Sequence, residues 1–201
     1  MIGVNLSAFL GSWINIAFFG DTDTYNAYRA WFEPMTIPKV TCAGKFATDK
    51  YHDIRFLYQN HDGAMVVEKN EVGWMGRNSG FAAISLAYNL GAKRILLLGF
   101  DMKNSDNGDI HYHTGYPDKS KTPTITELKM GIPHPREKRK TAPYDKHMVG
   151  FDIIAKEADE VGIEIINLSP DSKIDCFKKM SVHQYLNQRE NENETIPFFR
   201  E

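Results

Sequence analysis

The sequence predicts an α/β fold, a single domain with a mostly parallel sheet flanked by helices. Three observations predict it. The segment 76–103, G-R-N-S-G-F-A-A-I-S-L-A-Y-N-L-G-A-K-R-I-L-L-L-G-F-D-M-K, reads as a turn, a helix, a second turn and a strand. Its strand, Ile95-Leu96-Leu97-Leu98, is unbroken by polar residues, as expected where a parallel sheet is covered on both faces. A helical stretch, 146–161, then separates this run from a second apolar run, 164–168. A helix between two such strands makes a right-handed βαβ crossover.

Within 76–103 each element has a local cause. Asn78 and Ser79 are N-cap residue types. Phe81, Ile84, Ala87 and Tyr88 recur at helical spacing and give the helix one buried face. Gly91 follows the last helical residue, where a left-handed cap favours glycine. Asp101 stands just beyond the carboxyl end of the strand, where open α/β sheets place ligand chemistry.

The rest of the chain is taken in order. Residues 1–4 form a short apolar strand ending at Asn5, and 14–19 (I-N-I-A-F-F) form a second, closed by Gly20-Asp21. Asp21 or Thr22 caps a helix over 23–32, which Pro34 stops. Short strands are expected at 39–42 and 53–58, and a weaker one at 65–68. From 103 to 145 there is little periodicity and much Gly, Pro, Asp, Asn and Lys. A loop that long inside a compact domain is usually functional or disordered. The helix over 146–161 carries Val149, Ile153, Ile154 and Ala158 on one side. The strand at 164–168 follows, then a short helix at 181–189. The domain is expected to span 1–189, with 190–201 as a polar, frayed tail.

Composition narrows the function classes. The chain has 201 residues, 42% hydrophobic and 25% charged, as in an ordinary globular domain. A formal net charge of −2 argues against a general nucleic-acid binder. Two cysteines, Cys42 and Cys176, suit a reducing compartment rather than a disulfide framework. No apolar run approaches about 20 residues, so no transmembrane helix is expected. The first residues lack the basic stretch of a signal peptide. Together these predict a cytoplasmic location.

The chemistry is expected at strand ends and in the long loop. At Asn78-Ser79-Gly80 a helix N-terminus presents unpaired N–H groups and the positive end of a dipole, which attract phosphate or carboxylate. The plainer reading is a cap with a glycine for packing. Neither G-x-G-x-x-G nor G-x-x-x-x-G-K-[ST] is present, so there is no dinucleotide fingerprint and no P-loop. Asp101 with His111 and His113 could bind a divalent metal, since alternate residues of an extended segment point the same way. Paired histidines in a polar loop are also often simply solvated. Tyr112, between them, could donate a hydrogen bond to phosphate. His147 opens the helix after the loop, and histidine suits general-base work near neutral pH. A surface histidine is the plainer reading there too. The loop also holds His134 and a run, 136–140, basic apart from Glu137; such a run is most often solvated, and could also draw an anionic substrate. The turn at Pro170 to Ser172, in L-S-P-D-S, forms a rim at the carboxyl end of the last sheet strand.

Four segments carry a family resemblance: N-S-G-F-A-A-I-S-L-A-Y-N-L-G-A-K-R-I-L-L-L-G-F-D, D-I-H-Y, H-M-V-G-F-D-I-I-A and I-N-L-S-P-D-S-K-I-D-C-F. Together they resemble bacterial lipooligosaccharide sialyltransferases, and still more the phage-encoded homologues of unassigned function. The resemblance covers most of residues 1–177 and is strongest over 78–101. It implies a Rossmann-like domain and a CMP-sugar donor. It implies an inverting, metal-independent transfer to a glycan or other hydroxyl acceptor, with no tightly bound cofactor. It assigns nucleotide contacts to Asn5, Ser79 and Gly80, with Asn78, Asp101 and Lys103 in the same site. It makes Tyr112 the hydrogen-bond donor to the departing phosphate, and His147, five residues before Asp152, the base.

The chain also departs from that family. The family opens with a strand and a Gly-Pro-Ser-like loop that touch the nucleotide, and this sequence begins beyond them. Lys103 stands where the family has a second phosphate-bonding tyrosine, and lysine can serve there as a point charge. No asparagine stands at Gly20-Asp21, where the family has another nucleotide contact. Two further classes therefore stay open. One is diphosphoryl transfer, as in a distant pterin-diphosphate-forming relative, with Mg²⁺ held by Asp101, His111 and His113. The other is a non-catalytic relative whose open sheet edge an oligomer would cover.

Overall fold

A computed structural model of the chain describes residues 1–103 and 144–191. Helices are interspersed among strands that pair only in parallel, so the fold is α/β. Strands β1 (Ile2–Val4), β2 (Ile16–Phe19), β3 (Lys39–Thr41) and β4 (Ile54–Phe56) lie side by side in that order, every pair parallel. Their register pairs Val4 with Phe18, Phe18 with Val40, and Thr41 with Phe56. Parallel neighbours need crossover connections. The first is a 3-10 turn (Asn5–Phe9), and the second contains α1 (Thr22–Ala27) and α2 (Arg29–Phe32).

Strands β5 (Tyr58–Asn60) and β6 (Glu71–Gly73) form a parallel pair. Strands β7 (Arg94–Leu97), β8 (Glu164–Asn167) and β9 (Lys178–Lys179) form a third parallel set in the order β7-β8-β9. Helix α3 (Ser79–Asn89) precedes β7. Helices α4 (Tyr144–His147) and α5 (Phe151–Val161) precede β8, and α6 (Val182–Asn191) closes the described chain.

Helix α3 is where the two larger strand sets meet. Its N-cap is Asn78, whose Oδ1 accepts from the Phe81 N–H at 2.7 Å. At its other end Gly91 takes φ +87, as expected. The Gly91 N–H bonds the Tyr88 carbonyl and the Ala92 N–H bonds the Ala87 carbonyl, a complete Schellman stop. The single buried face expected for this helix is a correction. Phe81 and Ile84 pack with β7, β8 and α5, whereas Ala82, Ala83 and Leu86 pack with Phe18, Val40, Leu57 and Val72. Apolar neighbours lie on both sides, so small residues serve where a surface helix would carry polar ones.

A third body of core is aromatic. Phe19, Tyr25, Phe32 and Phe46 cluster with ring centroids 4.8–5.7 Å apart. Each fully buried ring of this kind is worth about 1.5–3 kcal/mol of transfer free energy. Lys39, buried at the start of β3, directs Nζ to the Met35 carbonyl at 2.9 Å and to Asp53 at 3.1 Å.

Several expectations are corrected. The helix over 23–32 breaks at Tyr28, whose φ of −120 and ψ of 24 are not helical. The strand over 53–58 is two strands. Leu57 N bonds the Thr41 carbonyl of β3, whereas Tyr58 N bonds the Asn70 carbonyl, so pairing changes partner between them. No strand forms at 65–68. The N–H groups of Met65 and Val66 go instead to Glu157 Oε2 at 2.7 and 2.9 Å, and the pairing strand is β6. The helix over 146–161 is interrupted by Gly150, left-handed at φ +90, which resets its phase. Phe151, Ile154 and Ala158 are therefore buried, whereas Val149 and Ile153 are 52% and 38% exposed. Leu98 lies beyond β7 and is 53% exposed, while Ile95 and Leu97 are buried. The two-lysine strand β9 carries no apolar signal and was not expected. The last helix begins in a capping box. Ser181 Oγ accepts from Gln184 N, and Gln184 Oε1 accepts from Ser181 N. Among the described residues, no helix is long and apolar enough to cross a membrane.

Candidate functional site

The N-terminus of α3 meets strand ends from both sides. The Gly20 N–H, just past β2, donates to Ser79 Oγ at 3.2 Å. A Cβ on Gly20 would lie 2.5 Å from that oxygen and 2.7 Å from the Trp74 ring, so only glycine allows this approach. On the other side, a Cβ on Gly80 would lie 3.0 Å from the Phe100 ring, just past β7. Ser79 and Gly80 thus sit where the carboxyl ends of β2 and β7 converge. Parallel α/β sheets place ligand crevices at such ends.

Asn5 follows β1, which pairs with β2 so that Val4 stands opposite Phe18. It has φ +53, and its side-chain Oδ1 is buried without a hydrogen-bond partner among the described residues. Such an orphaned acceptor costs about 1–3 kcal/mol. Arg77 and Met102 are the other non-glycine residues with positive φ among those described, at 48 and 50. Arg77 stands two residues before α3, and Met102 stands five residues after β7.

Asn78 uses its whole amide inside the protein. Oδ1 caps α3, and Nδ2 donates to the Gly76 carbonyl at 3.2 Å and to the His147 carbonyl at 3.0 Å. The His147 ring Nδ1 lies 3.4 Å from the same Gly76 oxygen. The structure therefore brings His147 to the turn that carries Ser79 and Gly80, across 69 residues of sequence.

Tyr144 lies three residues before His147, so the two occupy neighbouring positions on α4. Burial, with a further contribution from the Asp101 carboxylate, pushes the Tyr144 phenol above its ordinary range. Asp101 itself is exposed, and its backbone carbonyl accepts from the Lys173 N–H at 2.9 Å. Lys103, two residues further on, is half-buried. The L-S-P-D-S turn, with Asn167 before it, clamps the segment after β7. Ser172 Oγ and Asn167 Nδ2 both donate to the Phe100 carbonyl, at 2.6 and 3.2 Å.

No family model, curated protein or solved structure matches the chain. Of the expected residues, Asn78, Ser79, Gly80 and His147 come together, Asp101 stands by Tyr144, and Asn5 lies at the neighbouring strand end. Tyr112, His111, His113, His134 and the run 136–140 lie outside the described residues. Among the described residues, no cluster of three His, Cys, Asp or Glu side chains is arranged to hold a metal ion. Tyr144 and Phe100 carry no role in the sequence reading, and Gly20 enters it only as the close of a strand, beside the place of an absent asparagine. Only the Tyr144–His147 spacing offered a signal. The roles of Gly20 and Phe100 depend on distant partners.

At Gly20-Asp21 no asparagine stands, and Asp21 is committed to the fold. Its carboxylate is occupied: Oδ1 accepts from Thr24 N at 2.7 Å and Oδ2 from Thr24 Oγ1 at 3.0 Å, capping α1. Cys42, at the end of β3, faces the Gly20 carbonyl at 3.8 Å. Burial pushes its thiol up to about 12, so it is not a nucleophile near neutral pH.

Proposed function

We propose that this chain is a Rossmann-like, metal-independent glycosyltransferase that uses a CMP-type sugar donor with inversion at the transferred carbon. One observation carries the reading: His147 is tied to the turn that presents Ser79 and Gly80 at the N-terminus of α3. A phosphate attracted by that helix end would thus lie beside an imidazole base, the two requirements of transfer from a nucleotide sugar.

The roles follow from chemistry. The first turn of α3 supplies unpaired N–H groups and the positive dipole end for donor phosphate. Ser79 Oγ accepts from Gly20, which leaves the hydroxyl hydrogen for a ligand oxygen. Asn5 Oδ1, without a partner among the described residues, offers an acceptor to a nucleoside hydroxyl or amino group. His147 takes the proton of the acceptor hydroxyl as that oxygen attacks the sugar carbon. Tyr112 and Lys103 stabilise the departing phosphate, Tyr112 by hydrogen bonding and Lys103 as a point charge. The Asp101 carboxylate lines the same strand end.

A thermal-shift panel tests this reading, with CMP, CDP, UDP, GDP and ATP, each with Mg²⁺ and with EDTA. Ligand at 100 times its dissociation constant adds about 2.7 kcal/mol, or several degrees at roughly 2–4 °C per kcal/mol. CMP is expected to shift the midpoint equally with EDTA. His147→Ala is expected to keep that shift and to lose turnover of a CMP-sugar by about 10²–10⁴-fold. A shift that needs Mg²⁺ would move the reading to diphosphoryl transfer. No shift with any nucleotide would make a non-catalytic role the better account.

A further inference from the structure

His147 is held at two points by one turn. Asn78 Nδ2 donates to its backbone carbonyl, and its ring Nδ1 faces the Gly76 carbonyl oxygen at the long end of hydrogen-bonding range. A carbonyl oxygen only accepts, so the ring nitrogen facing it carries the hydrogen. In the neutral ring, Nε2 then holds the lone pair. The hydrogen bond made by one ring nitrogen sets the state of the other.

We infer that Asn78 is a positioning residue for His147. By fastening the His147 backbone to the Gly76–Asn78 turn, it fixes the Nδ1–H tautomer and leaves Nε2 as the proton acceptor. The left-handed Arg77, at φ +48, makes this geometry available, because it sets the Gly76 carbonyl and the Asn78 side chain against one residue. What Nε2 then does rests on the transfer reading above. The tautomer itself belongs to the ligand-free protein.

The two jobs of Asn78 can be separated. Aspartate is as good an N-cap as asparagine, so Asn78→Asp keeps an acceptor for Phe81 N. It has no N–H to give, and its second oxygen would face the Gly76 and His147 carbonyls. A merely structural Asn78 would show itself in stability alone, so the decisive readout is spectroscopic.

Long-range ¹H–¹⁵N spectra of imidazole-labelled protein, with His147→Gln to assign the signal, read the tautomer directly. The wild-type ring is expected mainly as Nδ1–H. In Asn78→Asp, with the fold retained by circular dichroism, the majority is expected to change to Nε2–H. If Asn78→Asp does not fold, Asn78→Ser gives the same comparison with a cap too short to reach the His147 carbonyl. A wild-type majority of Nε2–H overturns the inference, as does an unchanged tautomer in the folded variant. Loss of the transfer reading with the Nδ1–H tautomer in place would leave the positioning role standing.

Discussion

Gly20 donates its backbone N–H to Ser79 Oγ at 3.2 Å, joining the end of β2 to the first turn of α3. The bond is buried, so each side of it has a measurable value. Ser79→Ala leaves the Gly20 N–H unpaired and is expected to cost about 1–3 kcal/mol. Gly20→Ala places a methyl 2.5 Å from the serine oxygen, and overpacking of that kind costs about 1–3 kcal/mol. The double variant is expected to cost less than the sum, because removing the hydroxyl makes room for the methyl. Urea denaturation of the four proteins checks this, and strict additivity would contradict the close approach.

Glu157 fastens the 65–66 segment to α5 through two charge-assisted bonds. Bonds to a charged group are worth about 1.5–3 kcal/mol. Glu157→Ala is expected to destabilise by at least that amount, and Glu157→Gln by less, since the amide oxygen still accepts. Hydrogen exchange at Met65 and Val66 is expected to rise in both variants, more in the alanine one. Unchanged exchange there would mean that the backbone groups find other partners.

That contact shows where the sequence stops being legible. Strands β1 and β2, α3 with both its caps, and the βαβ unit of β7, α5 and β8 follow from local pattern, because periodicity and capping act over a few residues. The segment 65–68 does not. Its apolar residues suggest pairing, but a carboxylate about 90 residues away satisfies the backbone instead. The phase of α5 was misread because one left-handed glycine, Gly150, rotates all that follows. At the site, Asn78 and Ser79 were legible as helix-start residues and Asp101 as a strand end. The meeting of His147 with Asn78 was not, since it spans 69 residues and runs through a main-chain carbonyl, which no side-chain pattern encodes.

The two cysteines should differ in access, although burial pushes both thiols up, that of Cys176 to about 11. Cys42 is 1% exposed and Cys176 is exposed. Iodoacetamide on native protein is expected to label Cys176 and to reach Cys42 only on unfolding, as read by peptide mass spectrometry. The raised Cys42 pKa also fixes a sign. An unfolded thiol ionises near its ordinary value, about 8.5, but in the fold only near 12. Between these values the unfolded chain binds fewer protons, so stability falls as pH rises, by at most about 1.4 kcal/mol per unit. Below that window Cys42 contributes no pH dependence. In a Cys176→Ala background, the further change Cys42→Ala is expected to reduce the fall between pH 8.5 and 10. An undiminished slope would assign the alkaline loss to other groups.

Asn5 sets stability against binding. Its Oδ1 is buried and has no hydrogen-bond partner among the described residues, and its backbone is left-handed at φ +53. Asn5→Gly removes the orphaned acceptor and is at ease at that φ. The relief, about 1–3 kcal/mol, exceeds the roughly 0.4–1 kcal/mol that a glycine loses through the freedom of the unfolded chain. The ligand-free variant is therefore expected to be modestly more stable than the wild type. If the oxygen serves the nucleoside, the same variant should show a smaller thermal shift with CMP. Both effects come from one atom, so they should appear together. Asn5→Gly that is less stable than wild type would show that the oxygen is satisfied in solution, by a water for example. A stabilised variant with an unchanged CMP shift would place the nucleoside elsewhere along the strand ends.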